Sequence, residues 1–136
     1  MMLHLCIVLK KERLGMKRIV VGGQADKERI AEMIRVIGGG QVTVTVKSDV
    51  EAAMAVKSKQ ADYYLGACHT GGGGALAMAI ALLGMGACVT VSMPGNIRSD
   101  EEIIREVESG KIAFGFTGQH AEQVVPIIVN QLLLKN

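Results

Sequence analysis

The sequence predicts an α/β domain, a three-layer α/β/α sandwich built on a five-stranded, mostly parallel sheet. Three observations predict it. Five apolar, β-branched runs alternate with five helical patterns, and regular alternation of this kind makes βα units. The composition, 49% apolar and 21% charged over 136 residues, is that of one globular domain with its own core. The two most glycine-dense turns, Gly22-Gly23-Gln24 and residues 68–74, both follow a predicted strand and precede a helix, where α/β sheets bind their ligands.

The first strand reads Arg18-Ile19-Val20-Val21 and stops at Gly22-Gly23. Asp26 then caps a helix whose Ile30, Met33, Ile34 and Ile37 fall at i, i+3, i+4, i+7, and Gly38 ends it. The second strand is Val42-Thr43-Val44-Thr45-Val46. Asp49 caps the next helix, with Val50, Ala53 and Met54 inward and Glu51 and Lys57 outward. The third strand, Tyr63-Tyr64-Leu65-Gly66-Ala67, runs straight into the glycine loop, and a helix follows over residues 74–83.

The fourth strand is Cys88-Val89-Thr90-Val91, and Ser92-Met93-Pro94-Gly95 reads as a loop. Ser99 with Glu102 three residues on is a capping box; Ile103, Ile104 and Val107 supply the apolar stripe and Gly110 closes the helix. The fifth strand, Ile112-Ala113-Phe114-Gly115-Phe116, leads through Thr117-Gly118-Gln119-His120 to a last helix. Pro126 predicts either a kink there or a start near Val125. The common order 2-1-3-4-5, flavodoxin-like or Rossmann-like, places the crevice between strands 1 and 3.

Residues 1–15 fit none of this pattern, and Met16-Lys17-Arg18 reads as a natural beginning. Residues 1–15 are therefore expected to be a non-native or disordered leader, and residues 16–136 the single α/β domain. In the leader the charges Lys10, Lys11, Glu12 and Arg13 follow the apolar run, the reverse of a secretory signal. Cys6, Cys68 and Cys88 lack the paired spacing of a zinc or redox motif, as expected for a cytoplasmic protein with reduced thiols. A net charge of +2, from 15 basic and 13 acidic residues mixed along the chain, leaves no electrostatic footprint for nucleic acid. Residues 70–97 carry no charge, but Gly84 and Gly86 divide them into a helical and a β-rich piece, so the chain is not expected to be membrane-embedded.

Four consecutive glycines cost backbone entropy and call for a reason. Without Cβ atoms their N–H groups approach a ligand closely, and at a helix N-terminus they favour an anion. Thr70 adds a hydroxyl and His69 a switchable charge, so Thr70, Gly71, Gly72, Gly73 and Gly74, with Gly22, Gly23 and Gln24, are the predicted ligand-binding residues. The alternative is that the glycines only permit close helix–sheet packing. No Gly-Lys-Ser/Thr follows and the spacing is not that of the dinucleotide fingerprint, so no cofactor is assigned. Cys68, read at the mouth of the helix, is a candidate nucleophile or phosphoryl acceptor, with His69 and His120 as candidate acid or base. These three fall short of a metal ligand set. The apolar face Ala75, Met78, Ala79, Leu82 reads as core, and an all-apolar helix also allows a homo-oligomer.

Several segments resemble one bacterial family: Lys17-Arg18-Ile19-Val20-Val21-Gly22-Gly23-Gln24, Asp62-Tyr63-Tyr64, Gly66-Ala67-Cys68-His69-Thr70-Gly71-Gly72-Gly73-Gly74, Val91-Ser92-Met93-Pro94-Gly95 and Ala113-Phe114-Gly115-Phe116-Thr117. Together they are similar to the YhfU-like family of domains of unknown function, from about Met16 to Leu134. The resemblance implies no settled activity; it implies links with membrane transporters and small-metabolite enzymes. It invites comparison with the cytoplasmic B components of phosphotransferase systems, whose Cys follows the first strand, whereas Cys68 follows the third. Three functions are therefore expected in turn. The first is binding of a small phosphorylated or carboxylated metabolite at the Cys-His-Thr-Gly loop. The second is a phosphocarrier or thiol enzyme using Cys68, and the third a non-catalytic subunit of a transport-linked assembly.

Overall fold

The computed structural model describes residues 16–69 and 74–135; the predicted leader and Thr70, Gly71, Gly72 and Gly73 lie outside the described residues. The main sheet is parallel throughout. It consists of β1 (Lys17–Gly23), β2 (Val42–Val46), β3 (Tyr63–Cys68), β4 (Cys88–Thr90) and β7 (Ala113–Thr117), in the order β2-β1-β3-β7-β4. A two-stranded antiparallel hairpin, β5 (Ser92–Met93) and β6 (Asn96–Ile97), stands where a plain loop was expected. The helices are α1 (Lys27–Gly38), α2 (Asp49–Lys57), α3 (Ala77–Leu83), α4 (Asp100–Glu108) and α5 (Ala121–Leu133). No helix among the described residues is long and apolar enough to cross a membrane.

The expected order fails only in its last two places, where the fifth parallel strand lies inside the fourth. Burial explains the exchange. Every residue of β7 is buried, which suits an inner strand, whereas β4 is three residues long with Thr90 half-buried, which suits an edge.

Right-handed crossovers place each helix according to the direction in which the chain moves across the sheet. Helices α1, α4 and α5 share one face and α2 and α3 the other, in agreement with the helix pairs that touch. Under the first face Ile19, Val21, Leu65, Phe114 and Phe116 meet the apolar stripes of the three helices. The second face is built from small residues, with Ala52, Ala53 and Ala79 lying close on Val20, Tyr64 and Leu76. The three-layer sandwich is thus the observed architecture.

Local differences from the expected elements have local causes. Asp26 adopts a left-handed conformation (φ 54) and makes no side-chain cap; its carboxylate pairs with Arg29 instead. Ser48, not Asp49, caps α2, accepting from the Glu51 amide at 3.2 Å. The inward stripe of α2 is Ala52, Ala53, Ala55 and Val56, while Val50 and Met54 are about half exposed. The small residues let α2 approach the sheet, which longer side chains would prevent. The Ser99–Glu102 capping box forms as expected. Helix α5 begins at Ala121 and continues through Pro126, so a start near Val125 is not what forms. Pro126 is the sixth residue of α5 and has no N–H to give the Glu122 carbonyl, so one bond of the helix ladder is forgone.

Candidate functional site

Three neighbouring strands, β1, β3 and β7, end together and deliver the residues singled out in the sequence: Gly22-Gly23-Gln24, Cys68-His69 and Gly118-Gln119-His120. From β3 the chain leaves toward the α2 and α3 face, and from β1 and β7 it leaves toward the other. The end of β3 therefore has a parting on each side, which is the switch-point geometry that opens crevices in α/β sheets.

Tyr64 organises this end from beneath. Its ring lies across β1 and β3 where both strands carry glycine. A Cβ at Gly22 would come within 2.6 Å of the ring, and one at Gly66 within 2.8 Å. Its hydroxyl accepts from the Gly23 amide at 3.0 Å and lies 2.7 Å from the Ala75 carbonyl and 3.1 Å from Asp49 Oδ1. Burial, reinforced by the neighbouring Asp49 charge and hydrogen bond, holds the phenol strongly toward its protonated form. Gly22 and Gly23 are consequently buried, and the Gly23 amide is committed to Tyr64 rather than open to a ligand. Gln24 is exposed beyond them.

The turn after β1 arches over the end of β3. The amides of Gln24 and Ala25 both donate to the Ala67 carbonyl, at 2.8 and 3.1 Å. It is then stitched to the turn after β7, because Arg29 donates to the Gly118 carbonyl at 2.9 Å and to Asp26 at 3.2 Å, and also pairs with Glu122. A Cβ at Gly118 would come within 3.0 Å of the Asp26 carboxylate, which would have to shift slightly.

Cys68 is the last residue of β3, about 1% exposed, and its register partner on β7 is Thr117, about 2% exposed. Strand alternation aims both side chains at the α2 and α3 face. Helix α3 begins only at Ala77, so Cys68 is not at a helix mouth and the glycine run does not open a helix directly. Two anchors hold the intervening turn out of the helix: the Ala75 carbonyl accepts from Tyr64, and Leu76 fills the space over Gly115, where a Cβ would come within 2.5 Å of it. His69 is exposed. Gly74 faces the Gln24 side chain, its nearest neighbour being Gln24 Oε1, 3.6 Å from an ideal Cβ, so no packing demand fixes a glycine there.

Two buried polar atoms at this end of the sheet, Thr117 Oγ1 and His120 Nδ1, have no hydrogen-bond partner among the described residues. The Thr117 amide is satisfied, donating to Ser92 Oγ at 3.0 Å. Sequence reasoning found His120 but passed over Thr117, Ser92, Tyr64 and Arg29. The one available signal was Tyr64, a large residue in a strand beside glycines in two strands.

The site lies inside the segment matched by a family model described as "Protein of unknown function DUF2620", over residues 17–132. The chain belongs to this family. The YhfU proteins of Escherichia coli K12, Escherichia coli O6:H1 and Shigella flexneri, each named "Uncharacterized protein YhfU", are 43% identical to it over 117 residues, 86% of this chain and 99% of each relative. Among solved structures, the type B ribose 5-phosphate isomerase of Trypanosoma cruzi superposes with a TM-score of 0.61 at 13% identity, covering 88% of this chain and 84% of that one. That likeness is one of fold. For the DUF2620 chain it agrees with the layered α/β architecture described above.

Proposed function

We propose that this DUF2620 protein binds a small phosphorylated or carboxylated metabolite at the carboxyl ends of β1, β3 and β7. The observation that carries the reading is the pair of orphaned polar atoms, Thr117 Oγ1 and His120 Nδ1, at the very edge where the three turns converge. A buried polar group left unpaired costs roughly 1–3 kcal/mol, and a ligand that bonds to it offsets that cost. His69 and the side-chain amide of Gln24 stand exposed at the same edge, as donors for an anion. Thr70, Gly71, Gly72 and Gly73, which lie outside the described residues, are proposed as part of the ligand-binding set with Gly74. The fold likeness to an enzyme named for a sugar phosphate supports the same ligand class.

The test is a thermal-shift screen against phosphate, sulfate, sugar phosphates and nucleotides, on the parent and on His69→Ala. The reading expects an anion to stabilise the parent and the variant to lose most of the shift. Indifference of the parent to every anion would contradict it.

A second reading uses Cys68 as the nucleophile of a phosphocarrier or thiol enzyme, with His69 or His120 as acid or base. Its support is the register that sets Cys68 beside the unpaired Thr117 hydroxyl on one face of the sheet. Cys68→Ser separates the two, since binding survives that change and a thiol mechanism does not. Assembly through the α2 and α3 layer is compatible with both. Helix α3 carries no charge, and Val50, Met54 and Met85 are exposed on or beside that layer. A strictly monomeric size in solution would remove that element.

A further inference from the structure

Arg29, in the first turn of α1, holds three acceptors at once. Its guanidinium donates to the Gly118 carbonyl at 2.9 Å and to Asp26 Oδ2 at 3.2 Å, and it pairs with Glu122. The acceptors belong to the turn after β1, the turn after β7 and the first turn of α5. A planar fork of five N–H donors can join all three, whereas the ammonium of a lysine is a point charge. Asp26 is held at φ 54 and ψ 31 and gives α1 no side-chain cap, a left-handed conformation that a non-glycine residue keeps where its surroundings impose it. The two turns lie close there, since a Cβ at Gly118 would come within 3.0 Å of the Asp26 carboxylate.

Gly118 connects Arg29 to the two orphaned groups. It directly follows Thr117 and lies two residues before His120. Its carbonyl accepts from the Ala121 amide as well as from Arg29, so this peptide is gripped both from within its own turn and from α1. The second grip comes from the α1 and α5 face, where Arg29 borders a hollow lined also by Met33, Ile37 and Pro126. Strand alternation aims the Thr117 hydroxyl at the other face. Arg29 is thus bonded to the turn, and it acts on the hydroxyl through the turn.

We infer that Arg29 is a positioning residue of the proposed site: by fixing Gly118 it keeps Thr117 Oγ1 and His120 Nδ1 clear of protein partners and available to a ligand. The inference rests on the reading under Proposed function. It makes the turn after β1 a strap across the end of β3, pinned at Ala67 by the amides of Gln24 and Ala25 and at Gly118 by Arg29. A buried hydroxyl without a partner is costly, so a turn free to move shifts until the hydroxyl finds one. With the clamp released, the turn after β7 relaxes in this way and the ligand has to compete with the new partner. Affinity falls. The unliganded fold gives up little, because the Arg29 side chain is 40% exposed and ion pairs of that exposure contribute little stability.

The test is a double-mutant cycle between Arg29→Gln and Thr117→Val, read by calorimetric titration with inorganic phosphate and ribose 5-phosphate. Arg29→Lys serves as the conservative variant, and the melting temperature of each unliganded protein is measured alongside. Arg29→Gln is expected to lose about tenfold in affinity, about 1.4 kcal/mol, and to melt within about 4 °C of the parent. Arg29→Lys, which keeps the charge without the fork, loses as much. In the Thr117→Val background the further loss on Arg29→Gln is less than about twofold, as for two residues acting in sequence. The positioning role alone is overturned by additive losses, which a direct contact with the ligand would give, or by full affinity in either Arg29 variant. A larger fall in melting temperature also overturns it, since that marks a merely structural ion pair. If Thr117→Val binds as the parent does, or the parent binds neither probe, the proposed function fails and the inference fails with it.

Discussion

The Tyr64 hydroxyl accepts a hydrogen bond from the Gly23 amide at 3.0 Å, across the first and third strands of the sheet. The same oxygen has one proton to give, and the Ala75 carbonyl at 2.7 Å is nearer than Asp49 Oδ1 at 3.1 Å. One buried phenol therefore ties the turn after β1, the start of α2 and the approach to α3.

Tyr64→Phe keeps the ring over Gly22 and Gly66 but leaves the Gly23 amide without its partner. Each buried backbone group left unpaired costs roughly 1–3 kcal/mol, so the variant is expected to lose about 2 kcal/mol in urea unfolding with an unchanged slope. A loss within 0.5 kcal/mol, the range of neutral surface changes, would show that the tie is dispensable.

Alkaline pH should act through the same residue. Burial, then the Asp49 charge and hydrogen bond, raise the Tyr64 phenol above its ordinary value of 10, and burial and the Asp62 charge raise Tyr63. A raised folded pKa favours the protonated folded state. The stability is fully present below about pH 10 and is lost as pH climbs through the folded values, because the unfolded chain ionises first. With two tyrosines and no Trp, tyrosinate absorbance reports this directly. It is expected to rise together with unfolding rather than as a separate step near pH 10.

Two glycines of the site should respond in opposite ways to alanine. At Gly23 the backbone has φ +79 and a Cβ would sit 2.6 Å from both the nitrogen and the oxygen of Ala67, backbone atoms that cannot move aside. Gly23→Ala is expected to cost more than about 3 kcal/mol, positive-φ strain plus clash. At Gly74 the nearest atom is 3.6 Å away on a flexible Gln24 side chain, so Gly74→Ala should unfold within about 0.5 kcal/mol of the parent. Its effect, if the anion reading holds, appears as a smaller thermal shift with phosphate.

Much of this was legible in the chain because the signals were local. The Ser99–Glu102 box needs only residues three apart, and Val42–Val46 needs only its own alternation. That Gly23 and Cys68 end neighbouring strands also followed from sequence, since strands 1 and 3 were expected side by side, whereas His120 joins them only because β7 lies inside β4. What escaped depends on partners distant in sequence. Helix α3 starts late because Tyr64 and Gly115 hold Ala75 and Leu76 in place, and Ser48 replaces Asp49 as a cap while Asp49 turns to Tyr64. The placing of β7 inside β4 compares the burial of two strands whose local patterns are alike. Thr117 was invisible for the same reason: a threonine ending an apolar run is ordinary until its neighbours leave its hydroxyl unpaired.

The most direct test of the central claim is Thr117→Val, measured for stability without ligand and for the thermal shift with phosphate and ribose 5-phosphate. The change keeps the shape and removes the unpaired buried hydroxyl. The account predicts an unliganded variant at least as stable as the parent, by up to about 1 kcal/mol, with a clearly reduced ligand shift. A ligand at 100 times its Kd stabilises the parent by about 2.7 kcal/mol, which sets the size of the effect to look for. A variant that loses stability without ligand, or that keeps the full shift with it, would contradict the claim that this hydroxyl is held for a ligand.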